Sequence, residues 1–293
     1  MLLIIFRLLS RLPLSLMHVI GTRAGWLMYR FSARYRLRLQ KNLHRAGFDA
    51  HLHTAVTEFG KNIFELPFVW CAPPKKVLAT AQVEGWSVVQ DAIDQHCGII
   101  FLTPHLGCFE IIAQVIASRM PLTALYRPPR QSMLKPLIEG ARQRHNLTLA
   151  PANLRGVRVL LKTLKAGGAV GLLPDQVPQT GEGVWTDFFG KPAYTMTLPA
   201  KLQQMTGAPM VMSYAERLPD GAGFVVRFVA FDPVQTTDLI EQTQAVNHAM
   251  EALIRHCPSQ YFWGYNRYKT PAGVVRPEPS SPTAPPTSHG DLS

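Results

Sequence analysis

His105 and Glu110 lie in the run Ile99-Ile-Phe-Leu-Thr-Pro-His-Leu-Gly-Cys-Phe-Glu110, where an apolar, strand-like stretch ends at a proline. A carboxylate follows the histidine about one helical turn later. Histidine, with an ordinary pKa of about 6.5, accepts a proton near neutrality, and a carboxylate on its second ring nitrogen fixes the tautomer and stabilises the imidazolium. The spacing therefore suits a general base and its orienting acid. No serine stands beside the pair, so the base would act on a hydroxyl or amine carried by a substrate. The same two residues also fit a bland arrangement, a helix cap followed by an acid in the helix's first turn.

Cys108 is a rival nucleophile, three residues from His105 and near a helix start that would lower a thiol's pKa; the plainer reading is a small packing residue. Backbone amides at Leu106 and Gly107 are candidate donors to an oxyanion. Arg127, locked between a strand-like Leu122-Thr-Ala-Leu-Tyr126 and Pro128-Pro129, suits bidentate contact with a phosphate. Arg155 is a second phosphate candidate at a helix start, and Asp175, just past a strand ending at Leu173, is a candidate for holding a basic residue or acceptor hydroxyls. Lys191 and Thr195, in a glycine-rich aromatic loop over 181–195, are candidates for the site's entrance.

The elements that must position these residues alternate. Strands are expected over 77–84, 98–103, 122–126, 147–150 and 169–173, with helices over 86–96, 107–118, 131–145 and 155–166. A hairpin over 210–216 and 224–231 and a helix over 236–256 follow. Such alternation predicts an α/β fold with a mostly parallel sheet flanked by helices, whose crevice lies at the carboxyl ends of the strands. The first 48 residues carry nine Lys or Arg and no Asp or Glu, interleaved with aliphatic and aromatic residues. This pattern predicts an N-terminal hydrophobic and basic helical anchor on an anionic membrane surface. Arg7, Arg11 and Pro13 interrupt the apolar run, leaving spanning and interfacial modes open. The charges lack any accompanying nucleic-acid motif, so no nucleic-acid partner is expected. Cys71, Cys97, Cys108 and Cys257 form no Cys-x-x-Cys pair, and neither a metal site nor a disulfide framework is expected. Three segments result: 1–48 membrane-associated, 49–270 catalytic, and 271–293 a Pro/Ser/Thr-rich tail expected to be disordered.

The His105–Glu110 spacing matches the HxxxxD/E motif of the glycerolipid acyltransferase superfamily, and a Glu in its last place resembles the lipid A biosynthesis lauroyl and myristoyl transferases. Tyr126-Arg-Pro-Pro129, Asn153-Leu-Arg-Gly156, Pro174-Asp-Gln176, Phe188 to Thr195, and Gln260-Tyr-Phe-Trp263 through Lys269 resemble that family's blocks in its order. The resemblance spans roughly residues 1–270. It implies a glycerolipid-acyltransferase-like fold and a membrane-bound O-acyltransferase moving a fatty acyl chain from acyl carrier protein to a hydroxyl of a lipid A precursor. His105 would be the base and Glu110 its partner, with Arg127, Arg155 and Asp175 binding substrate and no cofactor needed. It further implies an inner-membrane location with the catalytic part on the cytoplasmic side. The alternatives are an acyltransferase for another amphiphile (a lysophospholipid, ornithine lipid or glycolipid) and a catalytically silent lipid-binding protein of the same fold.

Overall fold

Four-residue strands with every side chain apolar need cover on both faces, and Ile99–Leu102 is one: all four residues are buried. Ile100 and Leu102 enter one core cluster, Ile99 and Phe101 the other. In the computed structural model, which describes residues 2–127, 140, 146–231, 234 and 236–277, this strand is the centre of a seven-stranded sheet. In chain order its strands are β1 (Ala81–Glu84), β2 (Ile99–Leu102), β3 (Leu122–Tyr126), β4 (Leu147–Pro151), β5 (Ala169–Leu172), β8 (Met210–Arg217) and β9 (Phe224–Ala230). They lie in the order β1-β9-β8-β2-β5-β3-β4, and every neighbouring pair is parallel except the β8–β9 hairpin. The mostly parallel α/β expectation is met.

One face is covered by α6 (Trp86–Ile93), α7 (Phe109–Ala117) and the end of α4 (Leu52–Cys71). The other carries α8 (Leu154–Lys165), α9 (Leu198–Thr206) and α10 (Leu239–His256). Two expectations about single elements fail. The strand expected from Val77 begins only at Ala81, because Pro73-Pro74 opens a short helix, α5 (Pro74–Leu78), with proline at its favoured first position. The loop expected over 181–195 is an antiparallel pair, β6 (Gly183–Phe188) and β7 (Lys191–Met196). Its turn is Phe189-Gly190, both at positive φ, a conformation in which phenylalanine is an uncommon signal. The expected helix over 131–145 falls, apart from residue 140, outside the described residues, as does the tail beyond 277. Residues preceding that boundary are bonded to the hairpin, Trp185 Nε1 donating to the Val275 carbonyl at 2.8 Å.

The N-terminal region forms α1 (Leu2–Leu9), α2 (Leu14–Phe31) and α3 (Ala33–Ala46). Among the described residues no helix is long and apolar enough to cross a membrane, so the expected anchor is not found as a spanning helix. Instead α2 packs closely along α4. A Cβ on Gly60 would stand 1.9 Å from the Gly21 carbonyl oxygen, an approach only glycine allows. Tyr35, Leu39 and Leu43 of α3 enter the same core cluster as β2. A buried charge cluster also joins the helices to the sheet: Arg217 of β8 bonds both oxygens of Glu65 at 2.6 and 2.7 Å and Glu58 at 2.6 Å, and His18 of α2 contacts Glu65 at 3.2 Å. Burial raises the Glu65 carboxyl, but Arg217 and His18 outweigh it and hold it below its ordinary value.

Candidate active site

The register of two adjacent parallel strands builds the site. Leu102 of β2 pairs with Leu172 of β5, and the third residues beyond them are His105 and Asp175. Both chains continue past the sheet's carboxyl edge, held together by the Thr103 amide donating to the Leu172 carbonyl at 3.0 Å. Side chains 70 positions apart in the sequence thereby become neighbours. The Asp175 carboxylate takes two bonds from one residue, the His105 ring Nδ1 at 2.7 Å and the His105 backbone N–H at 2.9 Å. Asp175 is buried, which alone raises its carboxyl, yet the charge and hydrogen bonds of His105 outweigh burial and hold it below the usual carboxylate range. Arg267, buried behind it and bonded to the Tyr194 carbonyl, Thr195 and Asn247, adds to that attraction. An ionised Asp175 accepts the Nδ1–H and leaves the lone pair on Nε2. The geometry is that of a base with its orienter.

Glu110 stands elsewhere. It lies in the first turn of α7 and accepts from the Trp70 indole N–H of α4 at 3.0 Å. The carboxylate on Nδ1 is therefore Asp175, whereas the sequence reading placed Glu110 there. His105, Glu110 and Arg127 do converge. They line one cavity of about 270 Å³ between α7 and strands β3 and β4, whose walls include Phe109, Leu125, Leu147 and Leu149. Arg127 is exposed at this cavity. Arg155 is not among its lining residues; it is exposed on the first turn of α8, which Asn153 caps by accepting from the Gly156 amide. Thr195 is wholly buried on Arg267 and Asn247, and Lys191 is exposed on β7; neither lines the cavity.

The segment carrying His105 is tied from three sides. Asn62 of α4 donates to the Gly107 carbonyl at 2.7 Å, the Gly107 amide donates to the Gln260 carbonyl at 3.0 Å, and the Phe262 amide donates to the His105 carbonyl at 3.0 Å. Gly107 has φ of +59°, and a Cβ there would stand 1.8 Å from the Ala215 carbonyl oxygen. Only glycine fits. These ties overturn one expectation: the Leu106 amide is bonded to Pro104, Gly107 to Gln260 and Cys108 to Ala215, so the amides proposed for an oxyanion are occupied. Cys108 is buried, and burial together with the nearby Glu65 charge pushes its thiol well above the ordinary value. It is an inert packing residue.

Two contributors were given no role by the sequence reading, Gln176 appearing there only within the Pro174-Asp-Gln176 block. Gln176, whose side-chain amide is 3.1 Å from His105 Nε2, and Trp70, which holds Glu110, carry no spacing signal of their own. Asp175 was recognised as a site residue without its partner; equal offsets past two paired strands were the available clue. Among the described residues, no three His, Cys, Asp or Glu side chains are grouped to hold a metal ion.

A mostly parallel α/β fold with a histidine–aspartate pair opening on a largely apolar cavity, and no serine bonded to that pair among the described residues, defines an α/β site built for acid–base chemistry. The sequence pattern of the bacterial lipid A biosynthesis acyltransferases matches residues 1–270, and the chain belongs to that family. It is 26% identical over 277 residues to the lipid A biosynthesis lauroyltransferase of Escherichia coli K12, covering 91% of this chain and 90% of that protein. It is also 26% identical over 270 residues to the palmitoleoyltransferase of the same strain, covering 89% and 87%. A lipid A biosynthesis acyltransferase of Haemophilus influenzae is 25% identical over 293 residues, covering 95% and 91%. The chain is an acyltransferase.

Proposed function

We propose that this acyltransferase moves a fatty acyl group from the thioester of acyl carrier protein to a hydroxyl of a lipid A precursor. The observation that carries the reading is His105, held on Nδ1 by Asp175 and facing a cavity with aliphatic and aromatic walls. The acceptor hydroxyl gives its proton to His105 Nε2 as its oxygen attacks the thioester carbonyl carbon. The tetrahedral intermediate then collapses, the carbon–sulfur bond breaks, and the proton passes from His105 to the departing thiolate. Asp175 supports the imidazolium between these steps. Arg127 holds a phosphate of the acceptor or of the donor's phosphopantetheine arm, and the apolar walls receive the acyl chain. The family membership and its lauroyl- and palmitoleoyltransferase relatives support an acyl donor and a lipid A acceptor. Mass spectrometry tests the reading: lipid A from cells lacking this chain should be lighter by one acyl group and return to full mass on complementation. Unchanged lipid A, or loss of the acyl group from a different lipid class, would overturn it.

The reading also requires access to a lipid surface, and the N-terminal helices support that. Leu3, Ile4, Ile5 and Leu8 of α1 and Leu16, Val19, Leu27, Met28 and Phe31 of α2 are exposed, as are Arg7, Arg11, Arg23 and Arg30. We place this surface in the headgroup region of the inner membrane, on its cytoplasmic side, where each basic side chain contributes about 1 kcal/mol and the apolar residues add their burial. The full-length protein should co-sediment with vesicles containing anionic lipid and be only partly released by high salt, because salt screens the charges and leaves the buried apolar area intact. Protein that remained in the supernatant at low salt would exclude this docking surface.

A further inference from the structure

Acyl transfer by His105 places a negative charge on the thioester carbonyl oxygen, and the amides of Leu106, Gly107 and Cys108 are occupied by Pro104, Gln260 and Ala215. Those three amides are not available to that oxygen, whereas a side-chain amide beside His105 is. We propose that the side-chain amide of Gln176 is the oxyanion donor; the proposal rests on His105 being the base of an acyl transfer.

The Gln176 amide lies 3.1 Å from His105 Nε2, the atom that must take the acceptor's proton. Its orientation follows from Asp175. Because the Asp175 carboxylate claims the Nδ1–H, Nε2 carries the lone pair, and only the NH₂ end of the amide is complementary to it. In the free enzyme Gln176 thus occupies the place the acceptor hydroxyl must enter. When the hydroxyl takes over Nε2, the displaced amide keeps both N–H groups beside the reaction centre. The attacked carbonyl oxygen, on the carbon that the attacking oxygen bonds, develops its charge within a small side-chain rotation of this amide, and an effective donor stands about 2.7–3.1 Å from it. The backbone under Gln176 is held on both sides, by Asp175 bonded twice to His105 and by the Val177 amide bonded to the Tyr265 hydroxyl at 3.0 Å. Gln176 itself lines the cavity with His105 and Arg127. One residue therefore caps the base at rest and serves the transition state once the acceptor arrives.

The test uses the purified full-length protein with dodecanoyl-acyl carrier protein and a disaccharide lipid A precursor, comparing wild type, Gln176→Leu, Gln176→Glu and His105→Ala. Loss of one oxyanion donor typically lowers kcat by about 10²- to 10³-fold, and this is expected for Gln176→Leu with both KM values and the melting temperature little changed. Gln176→Glu, close in shape but setting a carboxylate against the oxyanion, should be at least as slow. A side chain needed only for shape would tolerate Glu better than Leu. Gln176→Leu turning over within threefold of wild type, as expected if Arg127 were the donor, would overturn the proposal. So would a loss that followed a lower melting temperature or a raised KM. An active His105→Ala would remove the general-base reading and this proposal together, whereas an inactive His105→Ala beside an active Gln176→Leu removes only the proposal.

Discussion

Asp175→Asn should lose about 10³- to 10⁴-fold in kcat while the protein still folds, a loss of the size seen when an orienting aspartate becomes asparagine in a serine–histidine–aspartate triad. The reason lies in the second bond Asp175 makes. The His105 backbone N–H demands an oxygen, as it does now at 2.9 Å. An asparagine satisfying it turns its NH₂ toward Nδ1, which must then accept, and the ring proton moves to Nε2. The base's lone pair is placed on the wrong nitrogen. The carboxylate's own ionisation sets the pH range of the comparison. With its folded pKa depressed, the contribution of Asp175 is complete above its unfolded value of about 3.9 and is lost as pH falls through the folded value. Assays near neutrality therefore compare a fully ionised Asp175 with the neutral amide. Glu110→Gln should cost less, because the bond from the Trp70 indole at 3.0 Å can be kept by the amide oxygen. If Glu110→Gln were the slower enzyme and Asp175→Asn nearly normal, the orienting role would return to Glu110.

His105→Ala should reduce turnover by about 10²- to 10⁴-fold, the usual cost of removing a general base. The side chain lies at the rim of the sheet beside Phe109, so truncation should lower the rate far more than the melting temperature. The companion variant is Cys108→Ser. A buried thiol whose pKa is pushed well above the ordinary value forms little thiolate at neutral pH. Direct transfer therefore predicts substantial activity for Cys108→Ser and no covalent acyl-enzyme. A thioester trapped on Cys108 by mass spectrometry, or an active His105→Ala, would replace the general-base mechanism with a nucleophilic one.

The alternation of short apolar strands with amphipathic helices was enough to specify the architecture, because burying both faces of a parallel sheet leaves few other solutions for such a pattern. The place of His105, directly after an all-apolar strand, was legible for the same reason: crevices form where parallel strands end. The hairpin at Phe189-Gly190 was not legible, since a phenylalanine at positive φ is held there by packing against Phe48 and Trp263 and not by any turn preference of its own. The basic, apolar N-terminus reads as a lipid-facing segment, but its packing through Gly21, Gly25 and Gly60 depends on two helices meeting at backbone distance, which neither helix encodes alone. The same division runs through the site. Sequence was enough to single out the histidine, the two acids and the arginine that the fold gathers at and beside one cavity. Which acid holds the histidine was decided by the register of β2 against β5, which brings Asp175 under the ring across 70 residues while the start of α7 turns Glu110 toward Trp70. Spacing along a chain reports neighbours within one element, and a hydrogen bond between strand ends is a property of the sheet.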